Sequence, residues 1–176
     1  MNRGELAAAT AAAVLNAART ETGDTGRFVG LADRIGLDTL AELWRDEDPS
    51  TLPGALFAVY LMQTWCRSDA DTVARLWRAG RGLAPADEVV AGVPDHAEPA
   101  AMAELTDAVL AGAYRGDFAV ALERAAAFFR VVAEGRRMLA AEDESGSPDR
   151  ERADRNDRAA DGLSLAAQRW RAGELL

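Results

Sequence analysis

The sequence predicts an all-α protein, and three observations carry the prediction. Apolar residues recur at steps of three and four along most of the chain. No segment alternates β-branched with polar residues, and Gly, Pro and Asp fall between the periodic stretches as stops and caps. The chain has 176 residues, enough for one core and a tail, and a domain of roughly 150 residues buries about 70% of the surface its unfolded chain exposes. The expected architecture is a compact bundle of five or six helices built from αα-hairpins over residues 4–140, with a flexible C-terminal tail.

Each element has a local reason. A first helix is expected from Glu5 to Arg19, ended by the Gly-rich "TGDTG". A short helix from Phe28 to Ile35 stops at Gly36, which accepts the left-handed conformation without a Cβ clash. Asp38 is the expected N-cap of "TLAELWRDE", a helix closed by Asp48-Pro49. Residues 52–67 are apolar nearly all round, through Leu56, Phe57, Val59, Tyr60, Leu61, Met62 and Trp65; this predicts a central helix covered on every side. Ser68 and Asp71 have capping-box spacing ahead of "DTVARLWRAG", with Gly80 as its stop.

Within the irregular connection 81–99, one helical turn is expected over Ala86 to Ala91. Pro99 opens a helix running to Tyr114, because proline suits a first helical position. Asp117 caps the last core helix, whose buried stripe is Phe118, Leu122, Ala125, Phe129 and Val132. Residues 141–162 are charged and poor in apolar side chains, so they read as a disordered acidic linker. Residues 163–176 recover a short amphipathic helix with Leu163, Ala166, Ala167 and Trp170 on one face.

Two stretches share a pattern of aromatic residue, Arg, polar turn, Asp and apolar helix: Trp65 and Arg67 lead to Asp69, and Tyr114 and Arg115 lead to Asp117. The second resembles a tetratricopeptide unit in Tyr114, Gly116, Asp117, Phe118, Ala121 and Leu122. The separation from Asp69 to Asp117 departs from the roughly 34-residue period of such arrays, so the stretch reads as a structural hairpin. The chain's phrasing is also similar to that of uncharacterised helical proteins of high-GC bacteria, a likeness that implies no activity.

Composition narrows the chemistry. All 20 basic residues are Arg, which excludes Schiff-base and Walker-type lysine chemistry. Cys66 is the sole cysteine, so neither an intramolecular disulfide nor a cysteine zinc site is available; placed in the apolar segment, it reads as a small core hydrophobe. His96 is the sole histidine, and beside Asp95 and Glu98 in a Pro-flanked loop it reads as a solvated side chain. No cofactor or metal is expected. No stretch reaches the 18 or so apolar residues of a membrane span, and the net charge of −9 repels phosphate backbones.

Residues 31–44 look like a helix-turn-helix in Ala32, Ile35, Gly36 and Leu37. The recognition helix would present Asp38, Glu42, Asp46, Glu47 and Asp48 against Arg45 alone, which argues against nucleic acid. Asp69 and Asp71 suit a helix start, whereas Asp46 to Asp48 form a solvated acidic run. The expected setting is cytoplasmic and the expected partners are another protein or a second copy. Leu163, Ala166, Ala167 and Trp170 are the candidate partner anchor. An alternative is a small-molecule-binding helical protein or enzyme with a pocket lined by Trp44, Tyr60, Trp65, Arg67 and Trp77.

Overall fold

The computed structural model describes residues 2–20, 37–92, 98–142 and 148–175, and among these the protein is all-α, without strands. In chain order the helices are α1 (Arg3–Thr20), α2 (Leu37–Trp44), α3 (Leu52–Ser68), α4 (Ala70–Gly80), α5 (Pro85–Ala91), α6 (Pro99–Arg115), α7 (Phe118–Glu142) and α8 (Asp149–Ala172). Eight described helices exceed the expected five or six. The connection after α4 supplies a seven-residue helix, and the stretch expected to be a linker supplies more than half of α8. The expected helix at Phe28–Ile35, most of the 31–44 motif and His96 lie outside the described residues.

Local chemistry explains most boundaries. Asn2 and Glu5 form a reciprocal cap at the start of α1: the Glu5 N–H donates to Asn2 Oδ1 and the Asn2 N–H donates to Glu5 Oε2, both at 2.8 Å. Thr51 caps α3 through Oγ1, which accepts from the Gly54 N–H at 3.3 Å. Asp117 Oδ1 accepts from the Val120 N–H at 3.2 Å, as its sequence position predicts. The Ser68 and Asp71 box does not form. Ser68 is still inside α3 and its hydroxyl donates to the Trp65 carbonyl, while Asp69 holds the cap position of α4 without a side-chain bond. Two helices meeting across a single residue leave no room for a longer cap.

The central position expected of residues 52–67 belongs instead to α7. It packs against α3, α4, α5, α6 and α8, and from Phe118 to Val132 it buries its whole stripe together with Phe128 and Val131. In α3, Leu61 is exposed, and Phe57, Tyr60 and Trp65 are only half-buried. The reason is size. α7 carries Ala119, Ala121, Ala125, Ala126, Ala127 and Ala133, all buried, and small side chains let neighbouring backbones close in from several directions.

The closest approach is at Gly80 of α4 and Gly135 of α7. A Cβ on Gly80 would lie 1.9 Å from the Val131 carbonyl oxygen, and a Cβ on Gly135 would lie 1.9 Å from that of Leu76. The two backbones therefore touch, and only glycine fits on either side. Just beside this crossing Trp77 stacks on Phe128, with ring centroids 6.0 Å apart and planes at 17°.

α8 is a single helix running antiparallel to α7. Three cross-helix pairs step by seven residues in opposite directions: Glu123 with Arg171, Arg130 with Ser164, and Arg137 with Asp157. Along the same seven-residue steps run Ala119, Ala126, Ala133 and Ala140 on α7 and Ala153, Ala160 and Ala167 on α8, every one buried. The polar register sets these alanines level with one another, giving a coiled-coil-like seam of methyl groups flanked by charge. The structure thus differs from the expected disordered linker over 141–162 and short helix over 163–176: helix begins at Asp149 and ends at Ala172. Composition alone scores the 149–162 stretch as unable to bury enough surface, but Ala153 and Ala160 fall on one seam, and Asp149, Asp154, Asp157 and Asp161 find arginines on α7.

Candidate functional site

The four residues expected to anchor a partner are already occupied within the chain. Leu163, Ala166 and Ala167 are fully buried. The Trp170 ring stands edge-on to Phe118 at 4.9 Å and 71°, and the Arg19 guanidinium lies 5.0 Å from its centroid on α1. Farther along α8, Arg169 Nη1 donates to the carbonyl and hydroxyl oxygens of Ser50 at 3.0 and 3.1 Å. Gly162 faces Pro49 so closely that a Cβ there would come within 2.5 Å of the proline Cβ. α8 is therefore fastened to the turn between α2 and α3 as well as to α7.

Of the candidate pocket residues, the structure brings together Trp65 and Trp77, both against Phe128. Trp65 meets that ring edge-on at 6.4 Å and 78°. Trp77 is 2% exposed. Trp44 is buried elsewhere, with its indole N–H donating to Thr10 Oγ1 of α1 at 3.0 Å. Tyr60 is half-buried on α3, and Arg67 is exposed, where its Nη2 donates to Asp107 Oδ1 of α6 at 2.7 Å. The indoles thus spend their faces on other rings and on a hydroxyl.

An arginine that sequence reasoning did not select sits beside them. Arg136 has a side chain only 12% exposed; its guanidinium lies 5.0 Å from the Trp65 centroid and donates to Asn156 Oδ1 and Asp149 Oδ1, each at 3.0 Å. Burial lowers its pKa and the Asp149 carboxylate acts in the opposite direction. Its neighbour Arg137 bonds Glu134, Asp154 and Asp157, and the hydrogen bond with Asp157 leads in raising its pKa against a smaller desolvation effect. The seven-residue spacing of Glu123, Arg130 and Arg137, each four positions after a buried alanine, is the sequence signal for Arg137; Arg136 lies off that spacing.

Cys66, Glu42, Asp46 and Asp48 are tied up locally. Cys66 is buried, and desolvation pushes its thiol up to about 12, leaving almost no thiolate near neutral pH. Asp46 pairs with Arg3 at 3.1 Å and Glu42 with Arg45 at 3.1 Å. Hydrogen bonds from Ser50 hold Asp48 below the usual carboxylate range, and Arg169 adds to this. Among the described residues no group of three or more His, Cys, Asp or Glu is placed to share a metal ion, and no helix is long and apolar enough to cross a membrane.

Among the described residues, the most exposed large apolar side chains lie together in the chain. On α5 and the turn before it, Val89 is 82% exposed, Leu83 53% and Val90 48%. The base beneath them is held firmly: Arg124 Nε donates to the Ala91 carbonyl at 3.2 Å, Arg130 pairs with Asp87 at 3.4 Å, and Glu88 accepts from the Gly82 N–H. Comparison with protein-family models, with curated proteins and with solved structures finds no match for this chain.

Proposed function

We propose that this chain is a protein-association module, a compact helical bundle that meets another protein or a second copy of itself through the α5 surface. The observation that carries the reading is the exposure of Val89 beside Leu83 and Val90 on a helix pinned to α7. Scattered single apolar residues on a surface mean little, but three within eight positions on a fixed base form a patch that gains by being covered. Three side chains cover only part of the ~800 Å² per partner of a standard interface, so the association they support is of the weak or transient kind unless neighbouring surface joins them. The net charge of −9 favours a partner that brings basic residues around an apolar pocket.

A photo-crosslinking side chain at position 89 tests this in the full-length protein. The expected result is covalent capture of a protein, or of a second copy, that disappears in the Leu83→Ser, Val90→Asp background. Capture at position 89 no greater than at the control position 107, on the Arg67 side of the molecule, would sink the reading.

A further inference from the structure

The two halves of α8 are fastened by different physics. From Asp149 to Asp161 the contacts are mostly polar. Arg136 holds Asp149 and Asn156, Arg137 holds Asp154 and Asp157, and Arg130 reaches Asp161 at 3.5 Å. The fully buried side chains in this half are two methyl groups, Ala153 and Ala160. From Gly162 onward polar contacts continue, with Arg130 on Ser164, Arg169 on Ser50 and Arg171 on Glu123, but larger apolar burial joins them: Leu163, Ala166 and Ala167 are buried, Trp170 packs on Phe118, and Gly162 rests on Pro49.

We infer that residues 149–161 form a clasp sensitive to ionic strength, which lifts from α7 while the remainder of α8 stays docked, and which releases Arg136 from Asp149 and Asn156 when it lifts. Three points support the division. Alanine buries far less apolar surface than leucine or tryptophan, so the seam alone holds the first half weakly. The carboxylates of Asp154 and Asp161 are 60% and 79% exposed, where added salt screens their attraction to arginine. Once detached, a helix of this length is marginal in water and unravels, so lifting opens its amides to exchange. Gly162 against Pro49 marks where the apolar fastening begins.

Hydrogen exchange of the full-length chain, read by mass spectrometry at about 0.05 M and about 1 M NaCl, tests the inference. Amides of 149–161 are expected to exchange faster than those of 163–172, and on the order of tenfold faster still in the high-salt sample, with 163–172 and α7 unchanged. Arg137→Gln is expected to reproduce much of the salt effect at low salt; Arg130→Gln serves the same purpose if the first variant fails to fold. Equal rates in the two halves, acceleration shared by 163–172, or no response to salt would each overturn the clasp.

Discussion

The two faces that α7 turns to α4 and to α8 are built from similarly small residues and do opposite things. Against α4, Gly80 and Gly135 remove every atom between two backbones, and the stacked rings of Trp77 and Phe128 fill the space alongside. Against α8, alanines at seven-residue steps keep a thin methyl seam between the helices, and ion pairs line its flank. The first face joins dispersion and apolar burial with a fit that tolerates no added atom. The second depends more on charges that water and salt can reach. Small residues thus make one contact rigid and the other adjustable, according to what surrounds them.

The largest effect is expected at the aromatic side of the first face. Phe128→Ala removes the ring shared by Trp65, Trp77 and Phe129 and should cost about 4 kcal/mol, as buried Phe truncations do. A denaturant midpoint shift reads it, and labelling of the buried Cys66 thiol should accelerate in step because that thiol reacts only when opened. Gly135→Ala comes next. Alanine is the better helix former by up to about 1 kcal/mol, yet its Cβ would overlap the Leu76 carbonyl, so a net loss of about 2 kcal/mol is expected. A neutral or stabilising result would mean the α4 and α7 backbones have room to part.

Ala133→Leu probes the other face. Overpacking the seam should cost about 1–2 kcal/mol, but the loss should appear mainly as faster hydrogen exchange in α8, with α4 amides little changed. An equal loss of protection in both would show the two faces to be one cooperative unit.

The smallest effect concerns pH. The hydrogen bond from Arg171 holds Glu123 below its ordinary value; at Asp149, burial acts upward but bonds from Arg152 and the charge of Arg136 bring the net shift down. Folded pKa values below the unfolded ones mean that this stabilisation is complete above about pH 4.3 and is lost as pH falls through the folded values. Glu123→Gln should flatten the stability curve between roughly pH 5 and 2 without changing it at pH 8 by more than the weak pair itself is worth. An unchanged acid limb would show that the pair contributes nothing.

Much of this organisation was legible in the chain. The stop at Gly80, the start at Pro99, the cap at Asp117 and the stripe from Phe118 to Val132 are where local patterns put them, because each depends on neighbours within one helical turn. The departures at α7 and α8 share one cause. Alanine and glycine carry almost no hydropathy signal, so α7 looked less central than the leucine- and aromatic-rich α3, and α8 looked like a charged linker. Arg136 is hidden for a different reason: nothing within its own turn reveals that Trp65 and Asp149 close around it. The partner-anchor residues were picked out as an apolar face, but the choice between covering that face in cis and offering it to another molecule was not available from their spacing.

The order of residues by itself determined that this protein is helical, where most of its helices begin and stop, and that lysine chemistry and cysteine zinc sites are closed to it. Those outcomes follow from backbone propensities, caps and the side-chain inventory, which act over a few residues or require no structure at all. Only the tertiary arrangement decided which helix lies at the centre, which tryptophans pack on Phe128, and that α8 lies along α7 while Val89 faces outward. Such choices turn on how closely two backbones can approach and on which charges meet across dozens of residues, quantities that a one-dimensional pattern does not contain.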